Sequence, residues 1–147
     1  MKKSIVVVDD FYDNPMTIRN FALNQNFNIT GNYPGHRTES LINEEAEEKL
    51  SSIVKGNWGD DVDFPRHVGS YQGCYQHAVA WEKSWIHYDH WNEYACVIYL
   101  TPEAPLHTGT ALFRHKATGI TEKPDNEALC ERCKDAKKGI HSKLFRK

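Results

Sequence analysis

The stretch Trp85-Ile86-His87-Tyr88-Asp89-His90 sets a histidine and a carboxylate two residues apart, and an apolar run, residues 94–100, follows closely. On a β-strand, residues i and i+2 point to the same face. An extended reading therefore brings His87 and Asp89 together, while Ile86 and Tyr88 face the other way. An imidazole and a carboxylate on one face are two of the three ligands of a facial two-histidine, one-carboxylate site. Such a site leaves positions on Fe(II) open for substrate and oxygen. The sequence must then supply a second histidine.

Around this stretch the chain reads as β. Residues 68–76, 85–89, 94–100 and 110–115 are four candidate strands, with turn signals at Thr101-Pro102, Pro105 and Gly109 between them. The upstream part reads differently. Residues 4–9, Ser-Ile-Val-Val-Val-Asp, suit a short buried strand ended by Asp9-Asp10. Asp13-Asn14-Pro15 then opens a helix carrying Met16, Ile18, Ala22 and Leu23. Gly31, Pro34 and Gly35 make residues 28–40 loop-like. A second helix starts at Asn43 with an acidic first turn, carries Ala46, Leu50, Ile53 and Val54, and has a plausible stop at Gly56. Residues 121–139 are polar and charged, with a short helix expected over 127–137.

The expected fold is α+β in a single domain: a helical part over 4–60, strands over 65–119 and a polar tail over 120–147. Its β part suits a barrel or double-sheet jelly roll. There is no internal repeat and no low-complexity segment.

Composition narrows the function classes. At 147 residues the chain can bury a substantial core. Its 18 Lys+Arg against 20 Asp+Glu leave no basic stripe of the kind that non-specific nucleic-acid binding needs. The weak C-terminal cluster of Lys134, Lys137, Lys138, Lys143, Arg146 and Lys147 reads as a solvated tail. No apolar run approaches a membrane span, and the run from Ile5 to Val8 is too short for a signal-peptide core, so a cytoplasmic location is expected. Cys74, Cys96, Cys130 and Cys133 suit free thiols in a reducing compartment. Four Trp, seven Tyr and eight His favour a pocketed enzyme or binding domain.

Most of the histidines have a plain reading. His36, His67 and His77 have no carboxylate at ligand spacing and read as loop or surface residues. Strand alternation points His90 away from His87. His107 falls in a turn, and His115 faces either a pocket or solvent. Cys130-Glu-Arg-Cys133 is a single Cys-x2-Cys knuckle, half of a zinc site with no second pair. The acidic run 44–48 reads as a solvated helix face.

The combination of Trp85-Ile-His-Tyr-Asp89, the run from Tyr94 to Pro102, and Gly109-Thr-Ala-Leu-Phe113 with Arg114-His-Lys116 resembles the Fe(II)/2-oxoglutarate-dependent oxygenases. Within them it is similar to the small phage and marine-bacterial group related to prolyl hydroxylases. Phe11-Tyr-Asp-Asn-Pro15 and Asn32-Tyr-Pro-Gly-His-Arg-Thr38 look like that group's N-terminal part, so the resemblance covers about residues 4–119.

The resemblance implies a double-stranded β-helix, also called a jelly roll and cupin-like, with His87 and Asp89 as the first two iron ligands. The family adds a distal histidine and a cation that grips the 2-oxoglutarate carboxylate, a task suited to a planar guanidinium. His141 is the histidine far enough downstream, and Arg146 the arginine after it. Their surroundings barely make a strand, so a C-terminally incomplete or truncated jelly roll is expected. Tyr71 and Tyr99 are candidates for hydrogen bonds to the cosubstrate. Arg37 would meet an anionic substrate or brace its loop, with bracing favoured.

The implied activity is hydroxylation of a small-molecule or peptidyl substrate using Fe(II) and 2-oxoglutarate, without nucleic-acid or membrane partners. Two alternatives stand beside it. One is a catalytically inactive jelly-roll module for binding or assembly, whose open sheet edge a homodimer would cover. The other is a cupin-like protein holding another divalent metal.

Overall fold

A computed structural model describes residues 4–64, 71–87, 92–106, 108–121 and 126–128. The chain divides into two compact units, Met1–Glu82 and Lys83–Lys147. The first is α+β: two helices and a two-stranded antiparallel sheet, in the order α1 (Pro15–Leu23), β1 (His36–Ser40), α2 (Glu44–Trp58), β2 (Cys74–His77).

Both helices begin where local chemistry dictates. The Asn14 side chain accepts from Thr17 N–H at 3.0 Å, and Pro15 occupies the first turn, where its missing N–H costs nothing. The last turn of α1 is closed by side chains: Asn24 Nδ2 donates to the Asn20 carbonyl and Gln25 Nε2 to the Phe21 carbonyl. In α2, Asn43 caps Ala46 N–H at 2.9 Å, and Glu44, Glu45 and Glu47 complement the positive end of the helix dipole. This helix runs past the expected stop. Gly56 stays helical, and Gly59 ends the helix in the left-handed region with its N–H on the Lys55 carbonyl. Lys49 ties the N-terminal segment to α2 by donating to the Phe11 carbonyl while lying over the Phe11 ring.

The loop expected over 28–40 is partly a strand. Its breakers all precede His36, and the polar segment His36–Ser40 then pairs with β2 in the register His36↔His77, Arg37↔Gln76 and Ser40↔Cys74. Thr38 and Glu39 stand opposite Tyr75 alone, which is a β-bulge. Thr38 is 1% exposed, and its hydroxyl repairs the interrupted ladder by accepting from Tyr75 N–H at 3.0 Å and donating to the Glu39 carbonyl at 2.7 Å. On its other side Arg37 exchanges both backbone hydrogen bonds with Ile29, at 2.9 and 3.0 Å. At Gly35 (φ 77°) a Cβ would lie 2.0 Å from the His77 carbonyl oxygen, so only glycine lets the two strands approach there.

Three further expectations are corrected. Residues 4–9 form no strand and pair with none of the described strands, and Val7 is 79% exposed. Of the strand expected over 68–76, the described part starts only at Cys74, since residues 72–73 make a turn that docks Gly73 against Ile42. In the second unit, the described residues of 85–89, 94–100 and 110–115 carry no ladder. Residues 94–100 and 110–115 meet through side chains instead: Thr110 N–H donates to Tyr99 Oη at 2.7 Å, and the Tyr99 hydroxyl donates to Thr110 Oγ1. The helix expected over 127–137 lies outside the described residues beyond Ala128. Among the described residues no helix is long and apolar enough to cross a membrane.

Candidate functional site

His87 lies in the second unit, exposed and on irregular backbone, where the sequence pattern leads one to expect a strand. A contact two residues away orients its ring: Nδ1 is 3.1 Å from the Trp85 carbonyl oxygen. A carbonyl oxygen can only accept, so the proton of the neutral ring sits on Nδ1 and the lone pair on Nε2. This is how metal-binding histidines are commonly set, with one ring nitrogen donating to a carbonyl and the other carrying the ligating pair. On this observation His87 fits an iron ligand. Asp89, His141 and Arg146 lie outside the described residues, as do His67, His90, His107, Cys130 and Cys133. Among the described residues no three His, Cys, Asp or Glu side chains gather as a metal-binding group.

His115 is set the opposite way. Its Nδ1 lies 3.3 Å from Thr118 N–H, which can only donate, and 2.8 Å from Thr118 Oγ1. Nδ1 is therefore the acceptor, and the neutral ring carries its proton on Nε2. The ring serves the turn over residues 115–120, where Gly119 N–H reaches the His115 carbonyl at 2.7 Å and His115 N–H reaches the Ile120 carbonyl at 2.8 Å. Both pocket and solvent are secondary to that turn.

Tyr99 and Tyr71 are placed in different units. The Tyr99 hydroxyl is engaged with Thr110, as described above. Tyr71 stands beside Tyr33, with ring centroids 5.6 Å apart at 78°. The Arg37 guanidinium fills the corner between these two rings, 3.7 Å from the Tyr33 centroid and 4.9 Å from that of Tyr71. Its Nε donates to Gln76 Oε1 at 2.8 Å, and Gln76 Nε2 donates in turn to the Pro34 carbonyl at 2.8 Å. Because Arg37 spends its backbone groups on Ile29, it forms the non-hydrogen-bonded pair with Gln76, the geometry in which facing side chains come closest. The Arg37 charge also reaches Cys74: burial pushes that thiol's pKa up, and the guanidinium offsets part of the rise. Cys74 therefore stays a protonated thiol rather than a nucleophile near neutral pH.

Two arrangements escape a reading of the sequence. The His36↔His77 register sets two histidines directly opposite each other, with the Phe27 ring 6.0 Å from His77. The Tyr33–Arg37–Tyr71 corner likewise needs the tertiary pairing. The presence of Tyr33, Arg37 and Tyr71 is legible; their convergence has no local signal. The acidic face of α2 borders a shallow groove with Phe64, lined by Glu44, Glu47, Glu48 and Ser51.

Among known proteins, a family model described as a family of unknown function (DUF6445) matches residues 1–143, and so spans both units. No curated protein and no solved structure matches the chain.

Proposed function

The chain belongs to the DUF6445 family, and we propose, from the sequence motif and not from the family, that it is a non-haem Fe(II), 2-oxoglutarate-dependent oxygenase of jelly-roll type. The observation that carries the proposal is His87-Tyr88-Asp89 in its sequence setting, supported by the Trp85 carbonyl, which orients the His87 ring through Nδ1. His87, Asp89 and His141 would hold the iron, and Arg146 would pair with a carboxylate of 2-oxoglutarate. Bound together, iron and 2-oxoglutarate would supply, with O2 as oxidant, hydroxylation of an unactivated C–H bond, one oxygen atom going to the product and the other to the succinate formed with CO2 from 2-oxoglutarate. The Trp85 carbonyl has one part in this: it fixes the His87 ring and its tautomer, so that binding metal costs less reordering of the side chain.

The test is thermal unfolding of the full chain under anaerobic conditions, with Fe(II) and 2-oxoglutarate at about 100 times their dissociation constants, where linkage predicts about 2.7 kcal/mol of stabilisation from each ligand. Succinate formation on admitting oxygen is measured alongside. His87→Ala abolishes both responses, and His36→Ala leaves both intact. Absence of both responses in the wild-type chain sinks the proposal.

A second reading is favoured by a separate observation. Val97, Tyr99, Leu106 and Leu112 of the second unit are all more than half exposed, and apolar side chains left in water in this number suit an assembly module without turnover. A metal-free dimer in solution, with no succinate formed, would select this reading.

A further inference from the structure

We propose that the Arg37 guanidinium, held in the corner of Tyr33 and Tyr71, is a receptor for the carboxylate group of a small-molecule ligand. The proposal stands on the first unit alone and does not depend on the iron chemistry.

A guanidinium has five N–H donors. Among the described residues only the one on Nε is used, by Gln76, and Gln76 is itself anchored to the Pro34 carbonyl. The brace therefore fixes the plane of the fork while leaving its two terminal NH2 groups without an acceptor among the described residues. The two tyrosine rings hold the same cation from adjacent sides. A side chain that only braced its strand would be expected to spend these donors on its own chain.

Arg37 is half-buried, and among the described residues no carboxylate forms an ion pair with it. Burying a cation without a counter-ion is costly, and proteins ordinarily supply one. An oriented fork and a cation with no counter-ion among the described residues both ask for an anion with planar, paired oxygens.

A carboxylate meets that description better than a phosphate. The corner presents one cation between aromatic walls, and two parallel N–H···O bonds match the two oxygens of a carboxylate. Phosphate sites gather several cations or a run of backbone N–H groups, and neither surrounds Arg37 among the described residues.

The experiment follows the Arg37 Nε–H and Gln76 side-chain NMR signals of the full chain during titration with sodium acetate, with sodium chloride and inorganic phosphate at matched ionic strength as comparisons. Acetate is expected to shift both signals saturably, and chloride to produce only a small linear drift. Arg37→Lys keeps the charge but loses the fork, and should weaken acetate binding about tenfold. Gln76→Glu places a carboxylate on the guanidinium from within the chain, and should abolish the saturable response without unfolding the sheet. This second variant decides the matter if the first fails to fold. A wild-type response to acetate no different from chloride overturns the proposal, as does undiminished acetate binding by Gln76→Glu. Phosphate saturating at lower concentration than acetate overturns the assignment to a carboxylate.

Discussion

The His87 segment and the Arg37 corner are both built around a nitrogen-bearing side chain that the structure holds in one orientation, but they are held in different ways. His87 is oriented by the carbonyl of Trp85, two residues earlier in the chain. Arg37 is oriented by Gln76, 39 residues away, and by Tyr71, both reached only through the pairing of β1 with β2. A local brace survives as long as its few residues keep their backbone conformation. A brace across a sheet exists only when the whole unit has folded, and it inherits that unit's cooperativity. Chemistry carried by His87 therefore leaves a trace in a short motif, whereas the Arg37 corner leaves none.

The most severe way to break this comparison is Gly35→Ala. A Cβ there meets the His77 carbonyl at a positive φ, so the strands must separate, at an expected cost of about 2 kcal/mol or more in unfolding free energy. Denaturant titration measures the loss. The Arg37 Nε–H signal should collapse to its solvent-exposed position while the His87 ring resonances hold theirs. Simultaneous loss of both would show that the two regions are not independent.

Thr38→Val is a subtler cut. It keeps the shape but removes the hydroxyl that stands in for the ladder at the bulge, leaving Tyr75 N–H without its acceptor. The expected loss is about 1–2 kcal/mol, with faster amide exchange at Tyr75. An unchanged Tyr75 exchange rate would mean that the bulge does not depend on Thr38.

The smallest effect is expected from His115→Ala, which removes the acceptor for Thr118 and should cost about 1 kcal/mol or less. Its value lies in the contrast of tautomers. His115 uses Nδ1 to accept and His87 uses it to donate, so His115→Ala should leave the stabilisation by Fe(II) and 2-oxoglutarate unchanged. A loss as large as that of His87→Ala would place His115 among the metal ligands.

Local signals proved readable where one or two side chains settle the matter. Asn14-Pro15 and Asn43 open their helices because an asparagine side chain can satisfy a bare N–H three residues on, whatever the rest of the chain does. The helix passes Gly56 because glycine only weakens a helix, and it ends one where the backbone turns left-handed, as at Gly59. The β elements were harder. Residues 4–9 have the strand composition but pair with no described strand, while His36–Ser40 lacks it and is a strand because Cys74–His77 lies alongside. Strand propensity reports a fit to neighbours, and those neighbours are remote in sequence.

By itself, then, the sequence determined the helix starts, the acidic first turn of α2 and the presence of a His-x-Asp motif in an apolar setting, because each depends on residues within one turn or one pair of strand positions. Tertiary structure decided the bulge at Thr38, the facing of His36 and His77, and the stacking of Arg37 between Tyr33 and Tyr71. Those features depend on register, which is a property of two strands together and is written in neither of them alone.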